Sequence, residues 1–227
     1  MRGRQKRSVK QHNRPWPKAR KILIINNSMI DADEKPKTEL FMMKQLFNVE
    51  GKVAIVTGGS RGIGAMIARG FVENGARTYI TARTEEACRA TAEALSHYGQ
   101  CIAIPADLST LEGIQQFVQT FSGKEEQLDI LVNNAGFMKS RQEYKTLSAA
   151  VEDFGEPDWD RTMDINLKAL FFFTQQLLPH LKNAARGDNP ARVINVSSNA
   201  GIIPPHRHTD YAYTASKAGV INLTRHL

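Results

Sequence analysis

The stretch Lys52-Val53-Ala54-Ile55-Val56-Thr57-Gly58-Gly59-Ser60-Arg61-Gly62-Ile63-Gly64 constrains the fold of this chain more than any other. Its first half, KVAIVT, reads as a short buried strand. Its second half is a glycine turn that opens an amphipathic helix. Gly58, Gly62 and Gly64 each omit a Cβ where the backbone must turn tightly, approach a ligand or pack against the helix. The helix opening presents unpaired N–H groups and the positive end of a dipole, so a phosphate is its natural occupant. Glycine clusters alone are weak evidence, but a strand before and a helix after give this one weight. The spacing differs from G-x-G-x-x-G.

From Val53 onward, strand and helix patterns alternate. The first helix is predicted over about 62–74, with Gly75 at its C-terminal cap. A strand over Ala76 to Ala82 and a helix over about 84–98 follow. The third strand is Cys101 to Ile104, and Ser109 or Thr110 caps a helix to about Phe121. A fourth strand spans Leu128 to Val132. One long helix is predicted from about Asp158 to Leu181, its inward stripe being Met163, Leu167, Leu170, Thr174, Leu177 and Leu181. Arg192 to Val196 reads as a fifth, buried strand, and a last helix begins near Tyr211. Short apolar strands alternating with helices imply an α/β fold, a doubly wound parallel sheet of Rossmann-like type covered on both faces. Ligands of such sheets bind at the carboxyl ends of the strands.

Polar residues gather at those ends: Gly58 to Gly64, Arg83, Asp107, Asn133 to Gly136, Ser197-Ser198, then Tyr213. Thr57-Gly58-Gly59-Ser60-Arg61-Gly62-Ile63-Gly64, Asn133-Asn134-Ala135-Gly136, Ser198 and Tyr213-Thr214-Ala215-Ser216-Lys217 resemble, in that order, the T-G-x-x-x-G-x-G, N-N-A-G, Ser and Y-x-x-x-K motifs of the short-chain dehydrogenase/reductase family. The resemblance spans about residues 45–227. A lone Y-x-x-x-K is usually a surface pair on a helix; the preceding motifs overturn that reading. Among the five tyrosines only Tyr213 has a lysine four residues later.

Reducing a carbonyl requires hydride on carbon and a proton on oxygen. A phenol is a poor acid near neutrality, its reference pKa being about 10. Lys217, one helical turn from Tyr213, brings an ammonium to the same face. At about 4 Å and an effective dielectric near 20, it attracts a phenolate by about 4 kcal/mol, less screening. Tyr213 is therefore the candidate general acid in reduction and base in oxidation. The resemblance implies that Lys217 and Tyr213 also contact the cofactor and that Ser198 bonds the substrate oxygen. It implies that Asn166 supports a proton relay; on spacing alone Asn166 could equally be an ordinary polar residue of a helix. It also implies cofactor contacts from Ser60, Ile63, Asp107 with Leu108 (the adenine side), and Asn134, Ala135 and Gly136 (the ribose side). An acid at the end of the second strand would bind a ribose 2′-hydroxyl, whereas this chain has Arg83 there and Arg61 in the turn. Two arginines favour a 2′-phosphate, hence NADP(H); the alternative is that Arg83 is merely solvated.

The net charge of +7 belongs to a tail. Residues 1–21 hold nine of the thirty Lys and Arg and no acid, leaving 21 basic against 23 acidic residues, a net of −2. Charge thus gives no reason to expect nucleic acid on the folded body. Residues 1–42 read as a disordered basic extension, with Met42 or Met43 as a candidate natural start and residues 43–227 as an incomplete dinucleotide-binding and catalytic domain. Cys88 and Cys101 read as reduced thiols. With no apolar run of membrane-spanning length, the expectation is a cytoplasmic protein without a membrane partner, or a mitochondrial one if the basic start is a presequence. His206 and His208 lack further ligands, so no metal is expected.

The chain stops at Leu227, inside the helix begun by Tyr213. The family pattern implies further strands and a substrate-covering segment, so the fold is expected to be C-terminally truncated, with activity in doubt. The full-length form is expected to be a homodimer or homotetramer acting on a small-molecule carbonyl. Gln175 to Pro179 and Asn189 to Asn195 look similar to reductases of 3-oxoacyl thioesters of the rhamnolipid-pathway type. The competing reading is an inactive dinucleotide-binding fragment whose basic tail contacts nucleic acid or an acidic partner.

Overall fold

The computed structural model describes residues 48–138, 151–187, 189–203 and 211–227. Expectations concerning the basic extension, the start at Met42 or Met43, the boundary at 42/43, and His206 and His208 lie outside the described residues.

Five strands carry the fold: β1 (Val53–Thr57), β2 (Arg77–Thr81), β3 (Cys101–Ala103), β4 (Ile130–Asn133) and β5 (Arg192–Asn195). Between and after them run α1 (Gly62–Glu73), α2 (Glu85–Leu95), α3 (Leu111–Ser122), α4 (Glu156–Met163), α5 (Ala169–Ala184) and α6 (Tyr211–Thr224). The strands form one sheet in the order β3-β2-β1-β4-β5, every pair parallel. The order reverses at β1, the point where sheets of this kind open a crevice for ligands.

Alternation along β1 builds two cores. Val53 and Ile55 point to one face, with Phe117 and Phe121 of α3 and Phe173 and Leu177 of α5. Ala54 and Val56 point to the other, with Ala68 and Val72 of α1 and Cys88 and Ala92 of α2. This two-sided burial is why β1 and β4 read as unbroken apolar runs. At the amino ends, the Asp129 carboxylate accepts the Val53 N–H at 2.9 Å and pairs with Lys52 at 2.9 Å, pinning β1 to the start of β4. Both cysteines are free and buried; burial pushes the Cys101 thiol up to about 12.

Two expectations need correction. The long helix over 158–181 is interrupted: α4 passes into a π-helical segment, Asp164–Lys168, before α5 begins. A π turn holds an extra residue and shifts the helix face by about 100°. Leu170, Thr174, Leu177 and Leu181 are accordingly buried, whereas Met163 and Leu167, before the shift completes, are only half-buried. The second concerns β5, expected to be buried. Val193 and Ile194 are 36% and 46% exposed, because β5 pairs with β4 alone and is an edge of the sheet among the described residues. Asn195, expected inside a buried strand, is half-buried for the same reason.

Candidate active site

The carboxyl ends of β1 to β4 open on a cleft of about 590 Å³. Every cofactor-binding candidate outside α6 lines it: Gly58, Ser60, Arg61, Gly62, Ile63, Gly64, Arg83, Asp107, Leu108, Asn134, Ala135 and Gly136.

The turn after β1 has this shape because its backbone runs against itself. Gly58 has φ 66°, and a Cβ on Gly64 would lie 2.2 Å from the Gly58 carbonyl oxygen and 2.5 Å from Asn134 Nδ2. No side chain larger than hydrogen fits there. Asn134 closes the turn from the other side, donating from Nδ2 to the Thr57 carbonyl at 2.9 Å. Thr57 Oγ1 in return accepts the N–H groups of Asn134 and Ala135 at 2.9 and 2.8 Å. Two strand ends are thus tied into one floor.

The α1 opening carries no side-chain cap, like those of α2 and α4 and unlike that of α3. Thr110 caps α3 by accepting the Gly113 N–H at 3.0 Å, but Arg61, at the same position of α1, makes no side-chain cap. The first N–H groups of α1 stay available at the cleft. Thr81 Oγ1 is buried, has no hydrogen-bond partner among the described residues and belongs to a residue lining the same cleft. An orphaned buried hydroxyl costs roughly 1–3 kcal/mol unless something meets it. Arg61 and Arg83 are exposed and form no ion pair among the described residues. Asp107 is the one acid of the lining among the described residues, and its Oδ1 already accepts the Ser109 N–H and hydroxyl at 3.0 and 2.7 Å. These residues fit a dinucleotide with an anionic group between the two arginines.

Beyond Gly136 lies a second cluster, which does not line the cleft itself. A Cβ on Gly136 would lie 3.5 Å from Asn166 Oδ1 and 3.7 Å from Lys217 Nζ, so these three residues are neighbours. Asn166 sits in the middle of the π segment, the kind of helix defect that recurs at functional sites. Its side chain grips Phe137, accepting the N–H at 2.6 Å and donating to the carbonyl at 3.0 Å. Asn166 Nδ2 also donates to Ser216 Oγ at 3.0 Å, and Ser216 donates onward to the Tyr213 carbonyl at 2.7 Å. Lys217 is buried; its Nζ donates to the Val196 carbonyl at 2.8 Å and lies 5.9 Å from the centre of the Tyr213 ring. Burial holds this ammonium below the usual lysine range.

The two serines after β5 differ in what they already hold. Ser197 donates to the Lys217 carbonyl at 2.8 Å, which ties β5 to α6. Ser198 is half-buried, accepts the Ala200 N–H at 3.2 Å and donates to Asn199 Oδ1 at 3.2 Å. Its turn reaches α6 through Gly201, where a Cβ would lie 2.7 Å from the Lys217 carbonyl carbon.

Residue-by-residue reading of the sequence missed several participants. Thr57, Phe137 and Ser216 organise the site without being reactive, and Thr84 and Ile165 line the cleft. Thr84 carried a signal, a threonine before two glutamates at a helix start. Ile165 and Phe137 carried none: Ile165 lies in the π segment, and Phe137 is held there by the Asn166 side chain.

Comparison with known proteins agrees with this arrangement. Residues 52–227 match the family model for short chain dehydrogenases. The chain is 46% identical over 185 residues to the rhamnolipids biosynthesis 3-oxoacyl-[acyl-carrier-protein] reductase of Pseudomonas aeruginosa, covering 82% of this chain and 69% of that protein. It is 34% identical over 192 residues to the 2-dehydro-3-deoxy-D-gluconate 5-dehydrogenase of Escherichia coli, covering 81% and 67%. The Pseudomonas aeruginosa RhlG/NADP active-site complex superimposes with a TM-score of 0.69 at 46% identity, covering 80% of this chain and 66% of that one. A metagenomic short-chain oxidoreductase in complex with NADP gives a TM-score of 0.68 at 34% identity, covering 79% and 76%. The chain thus spans about two thirds of the length of the relatives named first. With a parallel sheet reversing at β1, an uncapped glycine turn below it and a Tyr–Lys helix beside it, this chain belongs to the short-chain dehydrogenase family of oxidoreductases.

Proposed function

We propose that this chain holds NADP(H) in the cleft and exchanges hydride with a carbonyl or alcohol substrate, Tyr213 serving as general acid in reduction and base in oxidation. The observation that carries the reading is the junction at Gly136, where the floor of the cleft meets Asn166 and Lys217. Arg61 and Arg83 would hold the 2′-phosphate, the α1 opening the pyrophosphate, and Asp107 the adenine side. The nicotinamide supplies the hydride when bound. Lys217, buried beside the Tyr213 ring, offers positive charge to the phenol as it gives up its proton. Ser198 would present its hydroxyl to the substrate oxygen as charge gathers there.

The relatives named as 3-oxoacyl-[acyl-carrier-protein] reductases support a 3-oxoacyl thioester as the first substrate to try. The test is Tyr213→Phe assayed with NADPH and such a thioester. Turnover should fall about 10²- to 10⁴-fold, the range for losing a general acid, while NADPH affinity stays within about two-fold of the unaltered chain. A variant that keeps its turnover would end the assignment of Tyr213.

A further inference from the structure

The phosphate turn is anchored on a helix that the family motifs do not mention. Thr91, in the middle of α2, donates its hydroxyl to the Ser60 carbonyl at 2.9 Å, across 31 residues of chain. Ser60 is the residue before Arg61, and in a trans peptide the carbonyl and the following N–H point opposite ways. Holding the Ser60 carbonyl toward α2 therefore turns the Arg61 N–H away from α2. That N–H has no hydrogen bond among the described residues, and Arg61 is extended, with φ −163° and ψ 167°. One residue earlier, the Gly59 N–H donates to the Thr81 carbonyl at 3.1 Å. The turn is thereby fixed at two of its peptides, Gly58–Gly59 and Ser60–Arg61, to the β2–α2 unit, the unit that carries Arg83.

We infer that Thr91 is a positioning residue for nucleotide discrimination: its hydroxyl fixes the Ser60–Arg61 peptide so that Arg61 and Arg83 converge on one 2′-phosphate. The inference rests on the NADP(H) reading above. Thr84, just before α2, and Ala87, on its first turn, line the cleft, and Thr91 lies one turn beyond Ala87 on the same face. A single helix thus sets the spacing between the two cations. Without the Thr91 bond the Ser60–Arg61 peptide can rotate, and Arg61 loses its registration with Arg83. The 2′-phosphate feels that loss; a nucleotide lacking it does not.

Calorimetric titration of the full chain with NADPH and with NADH tests this. Thr91→Val should raise the NADPH dissociation constant about five-fold, the weight of one hydrogen bond. The NADH constant should change by less than about two-fold, and Thr91→Ser should keep both near their starting values. Should Thr91→Val fail to fold, Thr91→Ala is read in the same way. An unchanged NADPH affinity, equal weakening for both nucleotides, or a Thr91→Ser chain as impaired as Thr91→Val overturns the inference while leaving the cofactor reading intact. An unaltered chain that binds NADH as tightly as NADPH overturns the cofactor reading, and this inference with it.

Discussion

The cleft and the Asn166–Tyr213–Lys217 cluster are neighbours built by different means. In the cleft the closest contacts are made by main chain, with the Thr57 and Asn134 side chains tying two strand ends. β1 is buried along its whole length, and the turn after it runs so close to itself that Gly64 has no room for a Cβ. In the second cluster, single side-chain hydrogen bonds do the positioning. Asn166 reaches Ser216, Ser216 the Tyr213 carbonyl, Ser197 the Lys217 carbonyl, and Asn195 Nδ2 the Thr224 hydroxyl at 3.0 Å. Its strand, β5, is an exposed edge among the described residues. The difference teaches where each half is fragile. A backbone-built site suffers most when volume is added and only several-fold when a supporting hydroxyl is removed, whereas a bond-built site suffers most when one hydroxyl is removed.

Gly64→Ala should do the greater damage. The added methyl would overlap the Gly58 carbonyl at 2.2 Å, and backbone cannot give way as a side-chain end can. Overpacking of this severity costs about 3 kcal/mol or more. The midpoint of urea unfolding should fall, and NADPH binding should weaken by more than about a hundred-fold. An alanine variant that binds NADPH normally would mean that the turn is softer than its contacts indicate, and the contrast between the halves would collapse.

Ser216→Ala probes the other half. It leaves one N–H of the buried Asn166 side chain without its partner and frees the Tyr213 carbonyl from Ser216, that carbonyl keeping its place in the α6 ladder. Leaving buried groups unpaired costs about 1–3 kcal/mol. The loss should appear in turnover, through a displaced Tyr213, while NADPH affinity stays close to that of the unaltered chain. If affinity and turnover fall together, the two regions are one mechanical unit after all.

The same division explains what the sequence made legible. The cleft could be read because its shape is local: a strand, then glycines at fixed offsets, then a helix, all within thirteen residues. Asn134 was readable as part of a motif, but not its donation to the Thr57 carbonyl, which spans 77 residues of chain. The π segment was invisible because Asp164 to Lys168 has ordinary helical composition and nothing in it marks an extra residue. Burial of β5 was misjudged because Val193 and Ile194 have the same pattern in a central strand as at an edge. Motif order identified the family; it did not reveal Thr91, whose hydroxyl acts through a neighbour's backbone.

A third region, at the amino ends of the strands, should sharpen the contrast by responding to pH without touching either half. His180 of α5 lies against the Phe121 ring, centroids 5.3 Å apart, and its carbonyl accepts the Leu128 N–H at 3.0 Å. Its Nε2 is 3.0 Å from Ser122 Oγ, while its Nδ1 is buried with no hydrogen-bond partner among the described residues. Adding a proton to this ring places charge where neither solvent nor an acceptor meets Nδ1, and burial accordingly lowers its pKa from the ordinary 6.5. The unfolded chain then takes up the proton first as pH falls, so unfolding becomes easier. The stabilising contribution is fully present above about 6.5 and is lost as pH drops toward and through the lowered folded value. His180→Gln, which keeps a group able to bond Ser122 but cannot titrate, should remove this part of the slope. Urea unfolding midpoints of the two chains at a series of pH values between about 7.5 and 5 provide the measurement. The curves should diverge below about 6.5, with NADPH affinity unaffected by the substitution at any pH. Parallel curves would show that the ring is neutral or charged alike in both states, and that the packing around Phe121 admits the proton without cost.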